Sequence, residues 1–329
     1  MPFARYFIKR FLGLVPLLIG ITLISFLVIH LAPGSPVGAK ADLNPKMSAQ
    51  AKEKLEKLYG LDKPVMTQYA DWMRRLVRFD FGNSFVDGER VTKKIAHTIP
   101  ITLLINFLAL FFIFLIGIPL GVLGAVREDT AVDKGLTFFV LAGFSVPTFW
   151  LALLLMSLLG VALHLLPVSG VHSLFYEDMN WLGNTIDVSR HLVMPVFVAS
   201  LTGLAGISRF MRSGMLETLG QNYIRTARAK GLSENKVLYG HALKNAILPI
   251  VTILGLSIPG LLGGSVIFES IFSIPGMGRL FFTSVFTRDY PVIMGILVLG
   301  AFLTLLGNFL ADMAYSLMDP RIRWAKKES

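Results

Sequence analysis

Six stretches of this chain are apolar for about twenty residues or more, the length a helix needs to cross a bilayer. They fall at Arg10–Leu31, 101–126, 136–163, 191–211, 246–269 and 290–315, the fourth being the weakest because Ser200, Thr202 and several glycines dilute it. Backbone polar groups in hydrocarbon have no water to bond, so segments this long must satisfy them internally, as helices do. The pattern predicts an all-α, polytopic membrane protein with about six transmembrane helices. Composition agrees: 54% of the residues are hydrophobic and 16% charged, against about one-quarter charged in soluble proteins. The net charge of +10 therefore reads as lysine and arginine gathered beside membrane spans, not as a nucleic-acid footprint.

The basic head at Arg5, Lys9 and Arg10 resembles the start of a signal peptide. Its apolar run exceeds the usual core of about 7–15 residues, and no small-residue cleavage site follows. We read it as a retained first span closing a segment 1–31. Lysine and arginine in the short loops set the orientation. With the N-terminus inside, the inner side collects Arg127, Lys134, the basic island near 213–245 and a tail (316–329) holding Arg321, Arg323, Lys326 and Lys327; the short outer loops keep Arg190, Arg279 and Arg288. Both termini are expected in the cytoplasm.

Residues 32–100 are too polar to span and read as an extracytoplasmic insertion. Ser48 and Gly60 bracket one amphipathic helix with Ala51, Leu55, Leu58 and Tyr59 on one face. A second, over about 65–79, aligns Val65, Tyr69, Trp72, Met73, Leu76 and Val77. Such helices suit a membrane surface or the cover of another subunit.

The core, 101–315, carries helix-weakening residues within its spans. Gly117, Pro119 and Gly121 lie in the second span, Gly143, Ser145 and Pro147 in the third, and Gly255, Pro259, Gly260, Gly263 and Gly264 in the fifth. Proline frees a helical carbonyl, and glycine at four-residue spacing permits close crossings. Pro119, Pro147, Pro259, Gly260 and Gly264 are candidate gating hinges; static packing is the competing reading. Few ionisable groups enter the spans: Asp312, Glu269 and His30 lie near span ends, where an interface or a partner is within reach. Asn106 is expected to hydrogen-bond between helices.

No phosphate-cradling loop, zinc-pair motif or nucleophile elbow is present, and cysteine is absent. The six histidines are scattered. The chain is expected to be no enzyme and to bind no metal or cofactor. If nucleotide drives it, ATP and Mg sit on separate chains. The lack of midplane carboxylates opposes an ion-coupled secondary transporter. A membrane scaffold with no transport role is a further alternative.

The island reads Tyr223-Ile-Arg-Thr-Ala-Arg-Ala-Lys-Gly-Leu and then His241-Ala-Leu-Lys-Asn-Ala-Ile-Leu-Pro. Its small residues Ala227, Ala229 and Gly231 let another surface approach, and Arg225, Arg228 and Lys230 suit an acidic groove. The plain alternative is a loop that only fixes orientation.

These residues resemble the ATPase-docking loop of ABC importer permeases, whose general form is E-A-A-x-x-x-G, nine residues, then I-x-L-P. Ala227, Gly231 and Leu243 match in place. Arg225, Thr226, His241 and Lys244 depart from it in the manner of the dipeptide, oligopeptide and nickel branch, where R-T-A-R-A-K-G-L and H-A-L-[KR]-N-A-x-L-P are typical. The resemblance extends along nearly the whole chain, through A-P-G-S-P at 32–36, G-F-S-V-P-T-F-W at 143–150, L-P-V-S-G at 166–170, F-S-I-P-G-M-G-R-L at 272–280, R-D-Y-P-V at 288–292 and D-P-R-I-R at 319–323. It is similar above all to the first permease of a dipeptide system, although the loop at 167–190 is shorter than in some of these.

The resemblance implies a type I importer permease fold in a bacterial inner membrane. It implies a second homologous permease, two ABC ATPase subunits and an extracytoplasmic solute-binding protein as partners, with lipid around the spans and no nucleic acid. Tyr223, Arg225, Thr226, Ala227, Arg228, Ala229, Lys230, Gly231, His241, Leu243 and Asn245 would form the coupling loop. The cargo would be a di- or oligopeptide; nickel or a metal chelate is the alternative.

Overall fold

The computed structural model describes residues 2–43 and 46–318, apart from the side chains of 2–9, 42–43, 259, 262, 311–312 and 314–318. The expected tail beyond Met318 and the side chains of Asp312 and Pro259 thus lie outside the described residues, while 316–318 continue the last helix. Every named element is helical; the one strand-like feature among the described residues is a bridge between Asn83 and Arg90. Four helices are long and apolar enough to cross a membrane, and two bent helix pairs raise the number to six if each is one span. Contacts divide the chain into two units.

The first unit holds Met1–Pro100, Leu262–Val266 and Gly276–Ser329. Within it α1 (Pro2–Leu31) runs along α14 (Tyr290–Met318). Three short helices fill the insertion: α2 (Pro36–Leu43), α3 (Ala49–Tyr59) and α4 (Val65–Leu76). The predicted caps of α3 are in place. The Ser48 side chain accepts from the Ala51 N–H, and Gly60 closes the helix at φ 69°, a conformation glycine adopts without strain. Trp72 of α4 is buried with Phe26, Met294 and Val298, so this helix lies on α1 and α14. Leu58 and Val77, on the predicted apolar faces, are about three-quarters exposed within this chain. Helix α13 (Met277–Phe286) begins where Gly278 touches backbone: a Cβ there would stand 2.6 Å from the Ser265 carbonyl carbon and 2.9 Å from that of Gly264.

The motif at 288–292 ties the insertion to α14. The buried Asp289 carboxylate accepts from the Ser84 hydroxyl and, at 2.8 Å, from the Phe85 N–H. The Arg288 guanidinium donates to the Pro33 carbonyl in the A-P-G-S-P turn. Tyr290 packs on His30, whose ring also stacks on Phe26 and lies 3.1 Å from Gln68 Oε1. His30 is thus engaged within the chain instead of reaching out to a partner.

The second unit holds Ile101–Leu261 and Ile267–Pro275. Helix α5 (Val91–Val126) gives it residues 101–126. Helices α6 (Ala131–Ser145), α7 (Thr148–Leu155) and α8 (Trp181–Leu219) follow. The third predicted span is in fact α6 and α7 with its π-helical continuation, meeting at 98° around Val146 and Pro147. The second predicted span is one unbroken helix despite Pro119. Its glycines serve a crossing: a Cβ on Gly121 would lie 2.5 Å from the Ser208 carbonyl oxygen of α8, and one on Gly117 would lie 3.1 Å from Ile207.

The predicted fifth span departs most from a plain helix. A π-helical stretch (Lys236–Ala242), α10 (Leu243–Ala246) and α11 (Leu248–Ser257) bend by 45°, and the chain then tightens into a 3-10 segment, Ile258–Leu262. Asn106 donates to the Leu261 carbonyl at 2.7 Å, satisfying backbone released from the regular helix. That is the interhelical bond the sequence predicts. Glu269 in α12 (Val266–Ile271) is 3% exposed and accepts from Thr102 at 3.1 Å, so it faces the interior of the unit, contrary to its expected place at an interface. Two motifs, at 166–170 and 272–280, meet where the Gly170 N–H bonds the Phe272 carbonyl at 2.8 Å.

Candidate functional site

The basic island folds as a helix followed by a left-handed turn. Helix α8 continues to Leu219, past the predicted end of its span, and α9 follows at Asn222–Ala229. Apolar residues Ile224 and Ala227 lie three apart, so they share one face. Both are buried, with Val122 and Ala125 of α5, Met211 and Met215 of α8, and Val237, Ala242 and Ala246 beyond the turn. The opposite face carries Arg225, Thr226, Arg228, Ala229 and Lys230, all exposed. Gly231 ends the helix at φ 76°, and nothing lies within 4 Å of where its Cβ would be. A small residue is needed there for the backbone, while the space around it stays open.

Two roles assigned from the sequence change. Ala227 points into the protein's own core, so its size serves internal packing and not the approach of another surface. Arg228 is matched within the loop: Nε and Nη2 reach Glu234 at 2.9 and 3.3 Å. Arg225 and Lys230 make no ion pair among the described residues. The Thr226 hydroxyl donates to the Asn222 carbonyl at 3.0 Å, one turn back within the same helix.

The second half of the loop closes on the first. Asn245 Nδ2 donates to the Tyr223 hydroxyl at 2.9 Å and to the His241 carbonyl at 3.2 Å. Tyr223 and Asn245 therefore hold the loop in shape, and Leu243 packs against the buried cluster. His241 is exposed beside a shallow cleft of about 440 Å³ formed by Leu232, Asn235, Lys236, Tyr239 and Gly240. Gly214 lets α8 approach α10, since a Cβ there would lie 3.3 Å from the Ala246 carbonyl oxygen.

The loop stands on an ion pair that sequence reasoning missed. Arg212 Nε and Nη2 each lie 2.6 Å from a different oxygen of Asp133, whose carboxylate is 5% exposed. Asp133 also accepts from the Asp129 N–H at 3.1 Å. Seventy-nine residues separate the partners, so no local pattern reveals them.

Of the hinge candidates, Pro147 sits at the sharp bend and Gly260 in the 3-10 segment with open space around it. Gly264 instead lies against Gly278. A larger cavity of about 1060 Å³ lies in the first unit between the insertion and α14, lined by His30, Tyr59, Gln68, Trp72, Ser84 and Tyr290 among others. Its Lys63 is paired with Asp71 at 2.8 Å and its Lys40 with the Tyr59 hydroxyl at 2.6 Å.

A helical, polytopic subunit with broken spans and an exposed basic helix is built as a membrane transport component. The chain belongs to the family of binding-protein-dependent transport system inner membrane components, whose model matches residues 117–324, with the N-terminal model of the same systems matching 3–106. It is 44% identical over 98% of its length to the oligopeptide transport system permease protein AppB of Bacillus subtilis, covering all of that protein. It is 40% identical over 97% of its length to the dipeptide transport system permease protein DppB of Escherichia coli K12, covering 99% of it. Against the di/tripeptide permease DppB of Pseudomonas aeruginosa the values are 39%, 96% and 98%. Among solved structures, the inward-facing MetNI methionine ABC transporter shares the fold at TM-score 0.54 and 19% identity, covering 69% of this chain and 97% of that one.

Proposed function

We propose that this chain is a permease subunit of an ATP-driven importer for di- or oligopeptides, lining half of the pathway beside a second, homologous permease. The observation that carries the coupling role is α9: Ile224 and Ala227 root it in a buried cluster with α5 and α8 while Arg225, Ala229 and Lys230 stay exposed on its outer face. A helix so anchored moves as one body with α5 and α8. In this reading it lies in the cytoplasm across an acidic groove of an ATPase subunit, and the cleft beside His241 takes a side chain of that partner. Closure of the ATPase pair on ATP and Mg pulls the loop, and the spans yield at Pro147 and around Gly260. The insertion at 32–100 lies on the extracytoplasmic side, packed on α1 and α14, and both termini are cytoplasmic. This chain performs no hydrolysis.

The peptide class rests on the names of the relatives matched over nearly the full chain. The test is reconstitution with the second permease, both ATPases and the binding protein. ATP hydrolysis stimulated by peptide-loaded binding protein, with peptide entering the vesicles, is the expected result. Stimulation by a nickel chelate and not by peptide would replace the cargo. Uptake by the isolated chain under an ion gradient would overturn the importer.

A further inference from the structure

We infer that Asp133 and Arg212 are a positioning pair that makes α6, and with it the bend at Pro147, follow the coupling helix. The inference rests on the coupling role proposed for α9. Motion of α9 reaches α8 and the end of α5 through the apolar cluster of Ile224, Ala227, Met211, Met215, Val122 and Ala125. None of these residues belongs to α6. Helix α6 packs along α8, with Gly143 against Leu201 and Ala205, and its first turn is fixed to α8 by the bidentate contact of Arg212 with Asp133. Two parallel charged bonds resist both sliding and rotation, which a single contact does not.

The surroundings hold the pair rigid. The Thr130 side chain caps α6, and the Asp129 N–H fixes the second carboxylate oxygen. Gly124 at the end of α5 leaves room for the arginine stem: a Cβ there would be 3.3 Å from Arg212 Cδ and 3.4 Å from Asp133 Oδ1. The end of α5, the start of α6 and the body of α8 therefore meet at one guanidinium. From Asp133, α6 runs as a single rod to Ser145 and the 98° bend. The loop is anchored independently by Ile224 and Ala227, so loss of the pair leaves docking in place and weakens transmission, since the apolar packing of α6 on α8 can slide where the paired charges cannot.

The chain has no cysteine, which permits a direct test. A double variant, Asp133→Cys with Arg212→Cys, is assembled into the full importer in vesicles and compared before and after joining the thiols with a short bis-methanethiosulfonate. The expected result is normal recovery of the assembled complex and about fivefold more ATP hydrolysed per peptide imported, the scale of a mutated coupling position. The cross-link restores the ratio, and reductant abolishes it again. An unchanged ratio in the double variant, failure of the cross-link to restore it, or loss of the assembled complex overturns the inference. A Gly231→Arg importer is run in parallel. If that variant is also fully coupled, the docking role of α9 falls; if it is uncoupled while the cysteine pair is not, only the role of Asp133 and Arg212 falls.

Discussion

Asp289 and Ser84 are joined by a hydrogen bond across 205 residues, and the same carboxylate also takes the Phe85 N–H. The carboxylate is buried, so both donors depend on it. Asp289→Ala leaves a backbone N–H and a hydroxyl without their acceptor, and we expect a loss of about 2 kcal/mol in stability. Ser84→Ala leaves the Phe85 N–H bonded to Asp289 but also removes the acceptor of the Val86 and Asp87 N–H groups, so it too should destabilise the insertion. Thermal unfolding of the purified protein in detergent compares the two; equal midpoints for Asp289→Ala and the wild type would show that the insertion is held by other contacts.

Gly231 separates two effects. Gly231→Ala meets no neighbour but forces a side chain into the left-handed region, a cost of about 1 kcal/mol. Gly231→Arg adds bulk that this chain alone accommodates. The alanine variant should transport near normally, whereas the arginine variant should reach the membrane and fail to import. Normal uptake by correctly inserted Gly231→Arg complexes would remove the loop from the coupling interface.

Gly121 and Gly260 distinguish packing from gating. A methyl on Gly121 collides with Met211 and the Ser208 carbonyl of α8, so Gly121→Ala should destabilise the fold by about 1–3 kcal/mol. Gly260 has open space, so Gly260→Leu should leave the amount of assembled complex unchanged. If the 3-10 segment is a gate, that variant and Pro147→Ala should raise the ATP used per substrate. Matched losses of assembly and transport in both would mark the positions as packing.

Asp87 gives the insertion a pH dependence. Burial pushes its carboxyl upward, but bonds from Lys94, the Glu89 N–H and Ser84 outweigh this and hold it below the ordinary carboxylate value. A depressed acid stabilises the folded state above its unfolded value, about 3.9, and loses that contribution as pH falls toward the folded value. Stability owed to Asp87 should therefore be flat from neutral pH to about pH 5 and decline below it. Asp87→Asn should flatten that decline, measured as unfolding midpoints across pH.

The sequence alone determined the number and place of the apolar segments, the ends of α3 at Ser48 and Gly60, and the existence of a basic, small-residue loop. Length, charge and capping are local properties, and each can be read without knowing what lies opposite. Tertiary structure decided which faces are used. Spans such as α5 are apolar all round, so periodicity gives no inward side, and the glycines beside Pro119 mark a crossing with α8 and no break. Ala227 turned inward because α9 had a core to rest on. Glu269 found Thr102, Asp289 found Ser84, and Asp133 found Arg212, each far along the chain. A buried charge requires a partner, but only the fold can say which residue supplies it.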